Sequence, residues 1–241
     1  MSGHSKWAKI HRAKGETDAK RGKVFQKLAK EIYVAAKAGD KDPATNPNLR
    51  MIIEKARSAN MPKDNINKAI EKAKGSADSE EYDAIRYEGY GHGGVAFMVD
   101  CLTDNKNRTA SLVRSAFTKR GGNLGTDGSV SYMFSRKGVI EVAKGYDEDA
   151  LMLTALDAGA LDFIIKDDSY LIYTEDDNFI NVKEKIEEIG VNEFLTSEVT
   201  YVPTMEIELA DEEAKEKIYN LVEQLEDLDD VNDVYYNLKD E

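Results

Sequence analysis

The sequence predicts an α+β protein of three domains: an N-terminal three-helix domain, then two α/β domains with mainly antiparallel sheets. Three observations lead there. Apolar residues recur at helical spacing as far as Gly75, and beyond a short linker the period changes to two. A further run of strands and helices then separates a ββα segment from a terminal βαβ segment.

In the helical part, Val24, Phe25, Leu28, Ala29, Ile32 and Ala36 share one face over residues 18–37, and Gly39 stops the helix. Asn46-Pro47 supplies a cap and a proline at the first helical position, and Leu49, Ile52, Ile53 and Ala56 form the next stripe. Met61-Pro62 opens a third helix with Ile66, Ala69, Ile70 and Ala73 inward, closed by Gly75. Helices this short are not stable alone, so they pack on one another.

Gly75-Ser76-Ala77-Asp78-Ser79 forms a linker. Strands follow at 84–88 and 95–102 around Gly89-Tyr90-Gly91-His92-Gly93-Gly94. A helix at 108–119 turns Leu112, Val113, Ala116 and Phe117 to its apolar face, and a Gly-rich loop spans 121–128. The second block comprises a strand at 138–142, a helix at 148–158, a hairpin of 163–165 with 170–173, a helix at 182–189 and a strand at 193–201. A strand at 205–209, a helix at 212–225 and a strand at 231–237 end the chain. Neither the ββα nor the βαβ segment has enough strands to stand alone, so the two join in one sheet. The expected domains are therefore 1–78, a discontinuous ferredoxin-like domain of 79–133 and 203–241, and an inserted domain of 134–202.

Charge divides the chain differently. Residues 1–75 hold 18 Lys+Arg against 8 Asp+Glu, whereas the rest holds 15 against 38, and the whole carries −13. Either the two parts have different partners, or they attract each other. Lys6, Lys9, Arg12, Lys14, Lys20, Arg21, Lys23 and Lys27 are able to neutralise phosphates without base specificity. Trp7, the one tryptophan, either anchors the opening arm through Ile10 or stacks on an exposed base, and His11 adds stacking.

The remaining motifs are weaker. Gly89 to Gly94 leads into a strand rather than a helix, which excludes a dinucleotide loop and leaves a mobile hairpin tip with exposed Tyr90 and His92. The loop at 121–128 lacks the Gly-Lys-Ser/Thr of a phosphate-binding loop and is expected to be a flexible connection. In Thr103-Asp104-Asn105-Lys106-Asn107-Arg108-Thr109, two readings stand side by side. Asn105 or Asn107 caps the next helix, or Lys106, Arg108 and Arg114 grip phosphate at its start.

Cys101 shares the apolar side of its strand with Val95, Phe97 and Val99, as a buried thiol would. His4, His11 and His92 form no triad or zinc arrangement. Glu175-Asp176-Asp177 and Glu226-Asp227-Leu228-Asp229-Asp230 lack a calcium-loop pattern and read as solvated faces, able to receive a basic protein surface. These residues predict no catalytic centre, metal, cofactor or small-molecule substrate. No apolar run is long enough to span a membrane or to form a secretory signal, so a cytoplasmic protein is expected.

Taken together, the motifs resemble the YebC/PmpR family from end to end. The resemblance rests on Gly3-His4-Ser5-Lys6-Trp7, Asp18-Ala19-Lys20-Arg21-Gly22-Lys23, Asp42-Pro43, Asn46-Pro47, Leu49-Arg50 and Met61-Pro62. It continues through Tyr87-Glu88-Gly89-Tyr90-Gly91, Thr103-Asp104-Asn105, Asn107-Arg108-Thr109, Gly121-Gly122-Asn123-Leu124-Gly125 and Val234-Tyr235. It implies a three-domain cytoplasmic regulator without a known catalytic centre. Bacterial relatives are described as DNA-binding regulators of transcription. Others act in translation, as a mitochondrial activator or on ribosomes stalled at proline-rich stretches, so ribosomal RNA is the alternative target. Two departures stand out: His92 occupies a position usually held by Pro, and Ala8-Lys9-Ile10-His11-Arg12 varies an Asn-rich stretch.

Overall fold

In a computed structural model, residues 18–75 and 81–239 are described. The expected α+β architecture is present: a helical N-terminal region and two four-stranded antiparallel sheets. The chain divides into two compact units. Of the described residues, the first holds those within 1–34, 75–135 and 202–241, and the second holds Ala35–Lys74 and Arg136–Tyr201.

The helical region has the three expected helices, α1 (Asp18–Ala38), α2 (Pro47–Ser58) and α3 (Lys63–Lys72). Asn46 caps α2 as its sequence predicts. Its side-chain oxygen accepts from the Leu49 amide at 3.0 Å, and Pro47 takes the first helical position, where no N–H is needed. The same side chain donates to the carbonyls of Ala35 and Asp40, which fixes the α1–α2 turn.

In the first unit, β1 (Asp83–Tyr90) and β2 (Ala96–Thr103) form a hairpin, and the sheet order is β3-β1-β2-β8. Here β3 is Asn123–Leu124 and β8 is Val231–Tyr236. Helices α4 (Lys106–Lys119) and α7 (Glu212–Glu226) contribute Val113, Phe117, Ile218, Leu221 and Leu225 to a core with Val95, Phe97 and Val99. Cys101 lies in that core, where burial pushes its thiol up to about 12, so it is an inert apolar side chain at neutral pH.

Two expectations are corrected here. Residues 205–209 do not form a strand: only Ile207 pairs, through an isolated parallel bridge to Leu238. The fourth strand comes instead from the Gly-rich loop. Asn123 and Leu124 pair with Tyr90 and Gly89, so the loop is built into the sheet rather than being a free connection. The glycines permit it, because a Cβ on Gly89 would lie 2.6 Å from the Asn123 carbonyl oxygen, and one on Gly122 would lie 2.7 Å from that of Tyr90.

Glu88 completes the anchor. Its buried carboxylate accepts from the amides of Gly128 (2.9 Å), Val130 (2.7 Å) and Ser131 (2.8 Å). Burial alone would raise its pKa, but the amides of Val130, Gly128 and Ser131 together outweigh that and hold it below the usual carboxylate range.

The second unit carries α2 and α3 together with β4 (Phe134–Ala143), α5 (Glu148–Asp157), β5 (Asp162–Ile165), β6 (Ser169–Glu175), α6 (Phe179–Glu188) and β7 (Thr196–Pro203). Its sheet order is β5-β6-β4-β7, which leaves β5 at one edge. Leu151, Ala155, Val182 and Ile186 of the helices pack on Ile140, Val142, Tyr170 and Ile172. Elsewhere in this unit Glu54 of α2 meets Lys183 of α6 at 3.0 Å, and both are buried.

Because the folded carboxyl of Glu88 titrates below its unfolded value of about 4.3, its contribution is present above that pH. It is lost as pH falls through the folded pKa. We expect Glu88→Gln to cost about 2 kcal/mol at neutral pH and to flatten the acid limb of the stability profile below about pH 4. Urea unfolding from pH 3 to 7 checks this, and an unchanged acid limb would exclude Glu88 as the anchor.

Candidate nucleic-acid interface

The residues singled out in the sequence fall into three groups. Lys6, Trp7, Lys9, His11, Arg12 and Lys14 lie outside the described residues. Lys20, Arg21, Lys23 and Lys27 lie on α1, and Tyr90, His92, Asn105, Lys106, Arg108 and Arg114 belong to the first unit.

On α1 the lysines recur at positions 20, 23, 27 and 30, a spacing of three and four that lines one face. That face meets the C-terminal end of α7. Lys20 reaches Glu223 at 3.5 Å, and Lys23 reaches the Asp227 carboxylate and carbonyl, both at 3.4 Å. Lys27 donates to the Glu226 carbonyl. Lys30 donates to the carbonyls of Leu102 (3.1 Å) and Asp229 (3.2 Å), and it lies 3.7 Å from Asp230.

The ammonium groups of Lys23 and Lys27 meet carbonyls at the C-terminal end of α7, the negative end of its dipole. The acidic run at 226–230, expected to be a solvated face, therefore has much of its partner set within the same unit.

The four lysines are not equivalent. Lys20 and Lys23 are 53% and 46% exposed and pair with exposed carboxylates, an arrangement worth little and weakened by salt. Lys27 is partly buried, and desolvation, the largest influence, lowers its pKa against the pull of Glu226 and Asp233. Lys30 is 17% exposed, and its ammonium lies 5.1 Å from the centre of the Tyr82 ring. The sequence shows all four as cations. What it does not show is their partners, about two hundred positions away along the chain.

For the segment at 103–109, the structure supports capping. Asn105 accepts from the Arg108 amide at 3.0 Å and starts α4. Arg108 is held by Asp230 at 2.7 and 3.2 Å and by Asp104 at 2.6 Å, and these carboxylates raise its pKa, Asp230 foremost. Lys106 makes an exposed pair with Asp83 at 3.1 Å. Arg114 is exposed and makes no salt bridge among the described residues. Tyr90 is half-buried, and its hydroxyl donates to the Ser129 carbonyl at 2.9 Å, so it braces the Gly-rich loop. His92 opens a short 3-10 turn and is also half-buried.

Among the described residues, no group of His, Cys, Asp or Glu is arranged to hold a metal ion, and no helix is long and apolar enough to cross a membrane.

Comparison with known proteins adds three findings. Residues 5–76 match the family model described as the TACO1/YebC protein N-terminal domain, and residues 82–238 match the one described as the TACO1/YebC second and third domain. A protein of Geobacillus thermodenitrificans named "Probable transcriptional regulatory protein" is 54% identical over 241 residues, covering 99% of this chain and 97% of its own. The Bacillus subtilis "Probable transcriptional regulatory protein YrbC" is 51% identical over 244 residues, covering 99% and 100%. The crystal structure of the conserved hypothetical protein Aq1575 from Aquifex aeolicus superposes with a TM-score of 0.81 at 45% identity, covering 94% of this chain and 93% of that one.

We expect Lys27→Ala to destabilise the first unit by about 1–2 kcal/mol, because the Glu226 carbonyl loses its donor. Lys20→Ala and Lys23→Ala should each cost less than about 0.5 kcal/mol. Equal midpoints for all three variants in chemical denaturation would show that burial along α1 does not sort these lysines.

Proposed function

Because the chain belongs to the TACO1/YebC family, we propose that it is a non-enzymatic transcriptional regulator that holds duplex DNA with its basic N-terminal segment. Its acidic remainder meets protein. The names of the relatives support a regulatory role. The observation that carries the nucleic-acid reading is the excess of 18 Lys+Arg over 8 Asp+Glu in residues 1–75 of a chain whose net charge is −13.

In this reading the footprint consists of the opening arm, with Lys6, Trp7, Lys9, His11, Arg12 and Lys14, and the outer end of α1, with Lys20, Arg21 and Lys23. Lys27 contributes by seating α1 rather than by touching phosphate. The division into domains 1–78, 79–133 with 203–241, and 134–202 belongs to the same proposal, as do a cytoplasmic location and the absence of any cofactor or small-molecule substrate.

Ribosomal RNA is the second reading, and one observation favours it. The cations of α1 are mostly lysines, which act as point charges, whereas base edges are read by bidentate Arg, Asn and Gln. Structured RNA recognised by its backbone suits such a surface.

Crosslinking in cells with sequencing of bound DNA and RNA separates the two. Discrete promoter DNA supports the first reading, and mainly ribosomal RNA supports the second. In vitro, replacing Lys20, Arg21 and Lys23 with Ala should reduce the salt slope of binding by about 2 to 3. Glu223→Gln with Asp227→Asn should raise affinity about two- to fivefold, because two carboxylates no longer compete with phosphate. Binding that ignores both sets would place the footprint elsewhere.

A further inference from the structure

The second unit carries an apolar surface that nucleic-acid binding does not use. Helix α5 is apolar on two sides. Leu151 and Ala155 are fully buried against the sheet, whereas Leu153 is 62% and Leu156 45% exposed. The helix packs beside the edge strand β5, where Leu161, just before the strand, and Ile165, at its end, are 48% and 52% exposed. With Ile189, these make five of the eight large apolar side chains exposed among the described residues, gathered within residues 153–189. Single exposed apolar residues are ordinary, but a concentration of them marks a contact surface.

The charges around this surface decide what fits it. Asp149, Leu153 and Asp157 stand at intervals of four, so a carboxylate flanks the most exposed leucine on each side along one stripe of α5. Neither aspartate makes a salt bridge among the described residues. Asp162 adds a carboxylate on β5, and residues 136–201 hold 6 Lys+Arg against 16 Asp+Glu. Nucleic acid and anionic membranes are repelled by such a surface. A second copy of this chain docked by two-fold symmetry would set the same aspartates against one another. Strand addition to β5 is also disfavoured, because the strand is four residues long and the Phe163 N–H already donates to the Asp162 carboxylate at 2.8 Å.

We propose that the outer face of α5, with the adjoining edge of β5, docks a cationic amphipathic helix of another protein. Its apolar face covers Leu153, Leu156, Leu161 and Ile165, and its Lys or Arg side chains pair with Asp149 and Asp157. This deepens the reading that the acidic part of the chain meets protein. It is tested without nucleic acid, so its failure is separable from failure of the nucleic-acid reading.

The probe is a synthetic Leu/Lys helix of about five turns, with a scrambled peptide of the same composition that lacks an apolar face. Fluorescence anisotropy with the full-length protein should show the amphipathic peptide binding at least about tenfold more tightly than the scrambled one. Leu153→Ser, and separately Asp149→Asn with Asp157→Asn, should each remove most of that preference. All three positions are exposed, and a thermal melt confirms folding of the variants. Equal binding of the two peptides, or indifference to either set of substitutions, would overturn the proposal. So would a dimer in sedimentation that dissolves on Leu153→Ser, since it would assign the surface to a second copy.

Discussion

The first unit depends on one buried carboxylate, Asp230, at the corner between α7 and β8. It accepts from the Arg108 guanidinium and, at 2.8 Å, from the Thr109 hydroxyl, and Lys30 of α1 lies 3.7 Å away. Its backbone carbonyl accepts the Leu102 amide at 2.9 Å, next to the irregularity where the β2–β8 register shifts. One residue thus joins the end of β2, the start of α4, the start of β8 and the middle of α1. Burial raises the pKa of this carboxyl, but hydrogen bonds from Arg108 and Thr109 more than reverse that, so it stays charged where an isolated buried carboxylate would take up a proton. Removing one member of such a set strands the others, which makes the corner cooperative rather than a sum of pairs.

From that corner follows a gradient along α1. Lys30 and Lys27 are drawn into the structure by carbonyls and buried charge, whereas Lys23 and Lys20 lie progressively further out and pair with exposed carboxylates, Lys23 also reaching the Asp227 carbonyl at 3.4 Å. A lysine whose ammonium is partly buried against a helix end, as that of Lys27 is, is less available to phosphate than an exposed one. The charge excess of the N-terminal segment is therefore partly consumed in seating the helix that carries it. Of the two alternatives raised by the charge asymmetry, internal attraction operates along α1, and the proposed external anion would compete with it at the outer end.

Much of this fold is legible in the sequence because local rules and tertiary packing agree. The Asn46-Pro47 start, the helical stripes and the alternation of the main strands each express a period that the core then uses. The failures occur where a short segment carries no period. β3 is two residues long and sits among glycines whose role, close backbone approach to β1, appears only once the partner strand is in place. Conversely, Met205-Glu206-Ile207-Glu208-Leu209 alternates like a strand, yet Ile207 makes a single bridge through the Asn237 carbonyl and the Lys239 amide. Alternation there reflects Ile207 and Leu209 packing against the core, not a ladder. The basic face of α1 is legible in the sequence as charge but not as pairing, since nothing local links Lys27 to Glu226.

The same contrast bears on how one acidic chain could serve two kinds of partner. At physiological ionic strength, exposed charges act over about 8 Å, so a net charge of −13 does not by itself forbid a polyanion at one end. What matters is the local balance. At the outer end of α1, each carboxylate facing a lysine is exposed and weakly held, so a phosphate, as proposed, would displace it at little cost. On α5 the situation is reversed: Asp149 and Asp157 make no salt bridge among the described residues and flank leucine rather than lysine. One surface offers cations that an anion competes for, and the other offers carboxylates beside exposed apolar area. The two proposed partners, of opposite charge, would thereby be sorted by contact chemistry, without any need for the two surfaces to communicate.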